Sequence, residues 1–173
     1  MADGIARRIA WAVEILDAQP EDRILKIGCM HGIAASQIAV GLTTGKIIAI
    51  DRSPKMLPAA IRRNEAHIGA GRVDILQAVP GNLDRATDLF DKILAIHIGL
   101  FRRPKPGELE TIRNLLTPGG RLFIGMQPLH AEYVPSVTGE VLRNLEHVEF
   151  SVERVEIDDT EPVPCACVVA RRV

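Results

Sequence analysis

The stretch Arg23-Ile-Leu-Lys-Ile-Gly-Cys-Met-His-Gly32, followed by Lys46-Ile-Ile-Ala-Ile-Asp51, constrains this chain more than any other feature. The first stretch reads as a buried strand that runs into a glycine-bearing turn. The residues after it read as a helix, and Lys46–Ile50 as a second strand whose tip carries a carboxylate. This is the front half of a nucleotide-binding α/β unit. A strand feeding a helix N-terminus leaves backbone N–H groups pointing into a crevice. A carboxylate at the tip of the next strand can take both hydroxyls of a ribose.

The bulk properties restrict what such a unit serves. With 173 residues the chain is long enough for one domain with a real core. A hydrophobic share of 47% against 25% charged argues for a packed globule rather than disorder. The net charge of -1 and an aromatic share of 3% supply neither the field nor the stacking surface that nucleic acid needs. No apolar run is long enough to span a membrane. Arg7 and Arg8 precede Ile9–Val13, but Glu14 and Asp17 follow too soon for a signal peptide, so the segment reads as a helix. Cys29, Cys165 and Cys167 read as buried small hydrophobes in a reducing cytosol. Cys165 and Cys167, two apart on one strand face, do not by themselves make a zinc site, and no metal is expected.

Along the chain, Ile5, Ile9, Ala12, Val13 and Leu16 share a helical face that Pro20 closes. Gly32 to about Leu42 is predicted helical, with Ala35, Ile38, Ala39 and Leu42 inward. Ser53-Pro54 has the form of a helix start, a capping hydroxyl before a proline, for a helix running to about Ile68. Val73–Gln77 is a third strand and Asp91–Ile98 a fourth, apolar nearly throughout as in a sheet covered on both faces. Glu108–Leu116 is predicted helical. Thr117-Pro-Gly-Gly120 is a tight turn into a fifth strand over Arg121–Met126. Val134–Leu145 is helical, and Phe150–Ile157 and Cys165–Arg171 form two strands joined by a loop rich in Asp, Glu and Pro. Strands alternating with helices predict an α/β fold with a parallel sheet wound on both faces, its last two strands an antiparallel pair at one edge.

From Glu21 to Val173 the chain resembles the class I S-adenosylmethionine-dependent methyltransferases. Ile24-Leu-Lys-Ile-Gly-Cys-Met-His-Gly32 is similar to the first motif of that family. Ile48-Ala-Ile-Asp-Arg-Ser53 is similar to its second strand with the ribose-binding acid. Phe90-Asp-Lys-Ile-Leu-Ala-Ile-His97 resembles its fourth strand, and Leu115-Leu-Thr-Pro-Gly-Gly-Arg-Leu122 its turn into the fifth. The resemblance implies a three-layer Rossmann-like fold with a mostly parallel seven-stranded sheet and an antiparallel C-terminal hairpin. It implies one domain over 1–173: an N-terminal helix over 1–20, a cofactor-binding half over 21–126, and a C-terminal helix and edge hairpin over 127–173. Glycine spacing separates the turn from a dinucleotide site. Counted from Gly28, the third and sixth positions of the NAD fingerprint are Met30 and Ile33, whereas the glycine present is Gly32.

The resemblance implies S-adenosylmethionine as cofactor, bound by Gly28, Cys29, Met30, Gly32, Asp51, Arg52, Met56 and Val79. Three positions depart from the family. Lys26 stands where an acid usually supports the turn and the cofactor's ammonium group. At about 6 Å and an effective dielectric of roughly 20, one lysine–sulfonium repulsion is on the order of 2–3 kcal/mol, and less if the lysine snorkels to water. Met30 replaces the middle glycine, as a bulky residue does in the catechol O-methyltransferases. Val79 falls where many relatives hold adenine with an Asp, and Asn82 or Asp84 is a candidate substitute.

His97, at the end of the fourth strand, is the candidate catalytic base, since imidazole titrates near neutrality. His130 and Tyr133 are candidates for lining a substrate pocket. Arg102, Arg103 and Lys105 form a basic loop that suits an acidic substrate. Met56 either touches adenine or packs inward, His31 reads as packing or surface, and Ser53 as a cap. The function read from these residues is methyl transfer from S-adenosylmethionine to a small-molecule acceptor in the cytoplasm, with no nucleic-acid or membrane partner. With little beyond the core fold, the acceptor pocket is either open or completed by a second subunit, as in a homodimer. The alternative is a non-catalytic binding or interaction protein of the same fold, its cofactor site impaired by Lys26, Met30 and Val79.

Overall fold

The strands are β1 (Arg23–Ile27), β2 (Lys46–Asp51), β3 (Val73–Gln77), β4 (Phe90–Ile96), β5 (Leu116–Met126), β6 (Phe150–Asp158) and β7 (Cys165–Arg172). They form one sheet in the order β3-β2-β1-β4-β5-β7-β6. The first five run parallel, and β7 is antiparallel to both β5 and β6. The computed structural model describes residues 2–84, 87–159 and 163–173, with side chains from residue 7 onward. Ile5's side chain and residues 160–162 of the loop before β7 therefore lie outside the described residues.

The sheet's alternation sorts the core into two layers. On one face, Ile24, Ile47 and Leu94 pack under α1 (Ala2–Leu16), α2 (Ile33–Gly41) and α3 (Leu57–Gly69), which contribute Leu16, Ile38 and Ala60. On the other, Leu25, Ile93 and Leu122 pack under α4 (Glu108–Asn114) and α5 (Val134–Glu146), which contribute Ile112 and Val141. Each fully buried Leu or Ile stabilises by about 1.5–3 kcal/mol relative to exposure. These layers hold the carboxyl ends of β1, β2 and β4 side by side. The chain leaves β1 toward β2 and then β4 on opposite sides, which makes that point the switch of the winding.

Four boundaries differ from the sequence reading. Helix α3 begins at Leu57, with Pro58 in its first turn, so Ser53 is not its cap. The Asp51 carboxylate claims Ser53 instead, accepting its N–H at 2.9 Å. Strand β4 stops at Ile96, because His97 turns to φ 56, a left-handed conformation that no strand continues through. Helix α4 ends at Asn114, and β5 already starts at Leu116. Leu116 pairs with Phe90 and Arg121 with Lys92, so the residues between them bulge from the strand instead of preceding it. Between β3 and β4 the described residues carry only a 3₁₀ turn, Pro80–Asn82. The crevice is therefore lightly roofed on that side.

Candidate functional site

The site grows from the turn after β1. Gly28 and Gly32 adopt φ 74 and 75, conformations that a side chain makes costly. A Cβ on Gly28 would meet Ile98 Cδ1 at 2.5 Å, and one on Gly32 would meet Asn64 Nδ2 at 2.4 Å and the Ala60 backbone at 3.0 Å. Cys29 N–H donates to the Ile50 carbonyl at 2.9 Å, which extends the β1–β2 ladder into the turn. Asn64, buried on α3, donates to the Gly32 and Ala60 carbonyls at 3.0 and 2.9 Å and clamps the turn from behind. Sequence reading missed Asn64. Its signal was its place between Ala60 and Ile68 at four-residue spacing, a polar residue within an apolar helical stripe.

Asp51 sits at the tip of β2 with one carboxylate oxygen accepting Met30 N–H at 3.1 Å and the other accepting Ser53 N–H at 2.9 Å. Each oxygen retains a lone pair, and Asp51 lines the cleft. Met30 holds φ 48 in the turn and is 39% exposed, so the chain keeps the left-handed geometry of a glycine there while placing a flexible thioether in the opening.

Lys26 does not snorkel to water. It is 3% exposed, and its ammonium donates to the Ile27 and Gly28 carbonyls, each at 2.9 Å. Burial pushes its pKa down from 10.5 to about 8, partly offset by its interactions with Cys29 and Asp51. The lysine thus serves the turn from its carbonyl side.

A cleft of about 890 Å³ opens over these carboxyl ends. It brings together Gly28, Met30, Asp51, Arg52, Val79 and His97 of the sequence-predicted residues. It does not include Cys29, Gly32 or Met56. Cys29 and Met56 turn into the layer under α1–α3, and Gly32 lies against Asn64. Burial, with Asp51 close by, raises the Cys29 thiol to about 11, which leaves it unreactive. Neither candidate substitute for the adenine acid reaches the cleft. Asn82 Oδ1 accepts Val79 N–H at 3.1 Å, and Asp84 accepts the Thr87 hydroxyl at 3.2 Å. His130 and Tyr133 also miss it, resting edge to face on each other with centroids 5.7 Å apart. His31 is exposed, its carbonyl accepting from Arg63 Nε at 2.9 Å.

His97 lies between the cleft and a smaller pocket of about 150 Å³ whose apolar wall includes Met126, Val137 and Val141. Its N–H donates to the Gly125 carbonyl at 2.9 Å, which anchors it to β5. Although the residue as a whole is exposed, partial burial of the ring, then the charges of Arg8 on α1 and of Lys26, lower its pKa from 6.5 to about 4. The imidazole is therefore neutral at physiological pH. It suits accepting a hydrogen bond better than holding a proton. Ile98 and the α4 residue Thr111, neither predicted, complete the walls near Gly28 and the opposite rim.

With this geometry in place, comparison with known proteins gives a consistent picture. A family profile described as methyltransferase domain matches residues 24–120. A 37.1 kDa protein carried in a transposon of Streptomyces fradiae is 31% identical over 119 residues, 65% of this chain, and the match spans about a third of that protein's length, 32%. The uncharacterized methyltransferase YdaC of Bacillus subtilis is 22% identical over 166 residues, covering 94% of this chain and 90% of its own. Among solved structures, a SAM-dependent methyltransferase from Aquifex aeolicus superposes with a TM-score of 0.77 at 19% identity, covering 95% of this chain and 89% of that one. At that identity the superposition speaks for the fold.

Proposed function

The chain belongs to the methyltransferase domain family, with the strand order of the class I S-adenosylmethionine-dependent methyltransferases, and on that premise we propose that it methylates a small-molecule acceptor from the cleft above β1, β2 and β4. The observation that carries this reading is Asp51, fixed by two backbone N–H groups and presenting its remaining lone pairs to the cleft beside a glycine turn. The residues fit the adenosine half of the cofactor. Asp51 takes the ribose hydroxyls, Gly28 allows close approach, and Val79 and Pro80 offer an apolar wall to the base. The Val79 N–H is already given to Asn82, so the base is held here by contact more than by that amide.

When bound, S-adenosylmethionine supplies a methyl group on a sulfonium, a good leaving group. The protein's contribution is then orientation, exclusion of water and control of charge. Ile98 and Met30 dehydrate the turn side of the cleft. His97, held neutral at the junction of the two cavities, accepts a hydrogen bond from the acceptor's nucleophilic group and fixes its approach. Lys26 hydrogen-bonds the turn carbonyls of Ile27 and Gly28 and stands where, on the resemblance, relatives place an acid.

The test is calorimetric titration of S-adenosylhomocysteine into the parent and into Asp51→Asn. Binding by the parent and a loss of about tenfold or more in the variant, at matched stability, support the assignment, since hydrogen bonds to a charged group contribute about 1.5–3 kcal/mol each. No binding by a well-folded parent would leave the non-catalytic reading based on Lys26 and Met30. Equal binding by both proteins would remove Asp51 from the site.

A further inference from the structure

The cleft also carries a charge that the cofactor does not explain. Arg103 and Lys105 line it, on the segment between β4 and α4. Their neighbour Arg102 is committed elsewhere, its Nε on Glu140 at 2.7 Å. Asn144 of α5 donates to the carbonyls of Phe101 and Arg102 at 2.9 and 3.0 Å, and Phe101 is buried in the core. At the far end of the segment, Glu108 accepts Lys105 N–H at 2.7 Å while Glu108 N–H donates to the Lys105 carbonyl at 3.1 Å. The segment is therefore pinned at both ends. Arg103 and the side chain of Lys105 are exposed, and among the described residues neither makes an ion pair, although the charge of Arg103 helps hold the Glu140 carboxyl below its ordinary range.

The charged groups around the cleft do not balance. Arg52, Arg103 and Lys105 face it, with the buried Lys26 beneath, against Asp51 and Glu108. Both acids already accept backbone N–H groups. A cofactor bringing a sulfonium would add to the positive side. A neutral or cationic acceptor would leave that excess uncompensated in a partly dehydrated space, whereas an anion would meet two unpaired cations on a fixed loop.

We propose that the acceptor is an anionic small molecule, bearing a carboxylate or a phosphate, whose charged group is held by Arg103 and Lys105 while its nucleophile lies toward His97. This rests on the methyl-transfer reading of the cleft. It goes further by naming the acceptor's chemical class and the residues that select it.

The experiment uses the full chain and paired probes: salicylate against salicylamide, and phenyl phosphate against phenol. Affinities are read by NMR titration with and without saturating S-adenosylhomocysteine, in the parent and in the double variant Arg103→Gln, Lys105→Gln. The expected result is that at least one anion binds the parent about tenfold or more tightly than its neutral partner. The double variant loses that preference and keeps its affinity for S-adenosylhomocysteine. Which anion is preferred separates a carboxylate acceptor from a phosphate one. Equal binding of anion and neutral partner, no binding of either anion, or a preference that survives in the double variant each overturns the proposal. So does loss of S-adenosylhomocysteine affinity in the double variant, because the cations would then serve the cofactor. Failure of S-adenosylhomocysteine to bind the parent counts against methyl transfer instead, and the titrations without it still read the two cations.

Discussion

Lys26 and Lys92 are both buried, on adjacent strands, yet the chain treats them in opposite ways. Lys92, toward the amino end of β4, pairs with Asp22 at 2.9 Å and donates to the Asp17 carbonyl at 2.5 Å. It joins the end of α1 to the sheet and lines neither of the two cavities described above. Lys26, two residues further toward the carboxyl end of β1, donates to backbone carbonyls of the turn that borders the cleft and, among the described residues, makes no ion pair. A buried cation with a carboxylate partner is ordinary architecture. One without such a partner is a local conflict, and such conflicts gather where a chain has another task than stability.

Breaking the satisfied pair should give the largest effect. Asp22→Ala strands the Lys92 charge and should lower unfolding free energy by about 3–5 kcal/mol, read by denaturant titration. S-Adenosylhomocysteine affinity should stay unchanged, because the pair lies at the opposite end of the strands from the cleft.

The second effect belongs to Lys26 and depends on pH. Its folded pKa, about 8, lies below the unfolded value of 10.5, so between those values the unfolded chain binds the proton that the folded chain has released. Stability then rises with pH across that window, relative to Lys26→Met, by on the order of 3 kcal/mol. A constant difference between the two proteins from pH 8 to 10.5 would mean that the lysine carries no such penalty.

The sequence made the fold legible because each strand announced itself by a rule that the packing obeys. Residues 47–50 and 93–96 are apolar because both sheet faces are covered, and every β-strand was found within two residues at its carboxyl end, although β5 begins five residues before Arg121. The errors fell at ends, where side chains compete for the backbone. Ser53 reads as a cap until Asp51 claims its N–H, and β4 reads through His97 until that residue turns left-handed. Of the residues that line the cleft, Gly28, Asp51, Val79 and His97 were legible because they sit at or just past strand tips or in the turn. Cys29 and Met56 were not, because whether a side chain faces the crevice or the layer behind it depends on the turn's exit angle. Asn64 was invisible as a site residue because its partners are backbone carbonyls more than thirty positions away, on Gly32, and one turn back, on Ala60.

Met30 offers a smaller test of the turn. Its left-handed backbone costs about 1–2 kcal/mol that glycine would not, and its side chain is only partly buried. Met30→Gly should therefore raise stability by about 1 kcal/mol in thermal or denaturant unfolding. A decrease would show that the thioether packs to greater advantage than the strain it brings.

The smallest effect links the two strands. Part of the depression of His97 toward about 4 comes from Lys26, after burial and Arg8. In Lys26→Met the imidazole should titrate at higher pH, as seen in its NMR shifts. In the parent, its contribution to stability should be lost as pH falls from 6.5 through 4, where the unfolded chain takes up the proton first. An unmoved His97 titration in the variant would place Lys26's charge too far away to act on the cleft.

On the methyl-transfer reading, Lys26 and Asp51 act on the same bound cofactor. The measurement that tests it most directly is the ratio of S-adenosylmethionine to S-adenosylhomocysteine affinity, taken by calorimetry in the parent and in Lys26→Met. The two ligands differ at sulfur by a methyl group and one positive charge, so the ratio isolates the effect of the lysine on the sulfonium. Both ligands should bind the parent, and Lys26→Met should shift the ratio toward S-adenosylmethionine by about tenfold, a difference near 1.4 kcal/mol. An unchanged ratio, or a folded parent that binds neither, would contradict that reading.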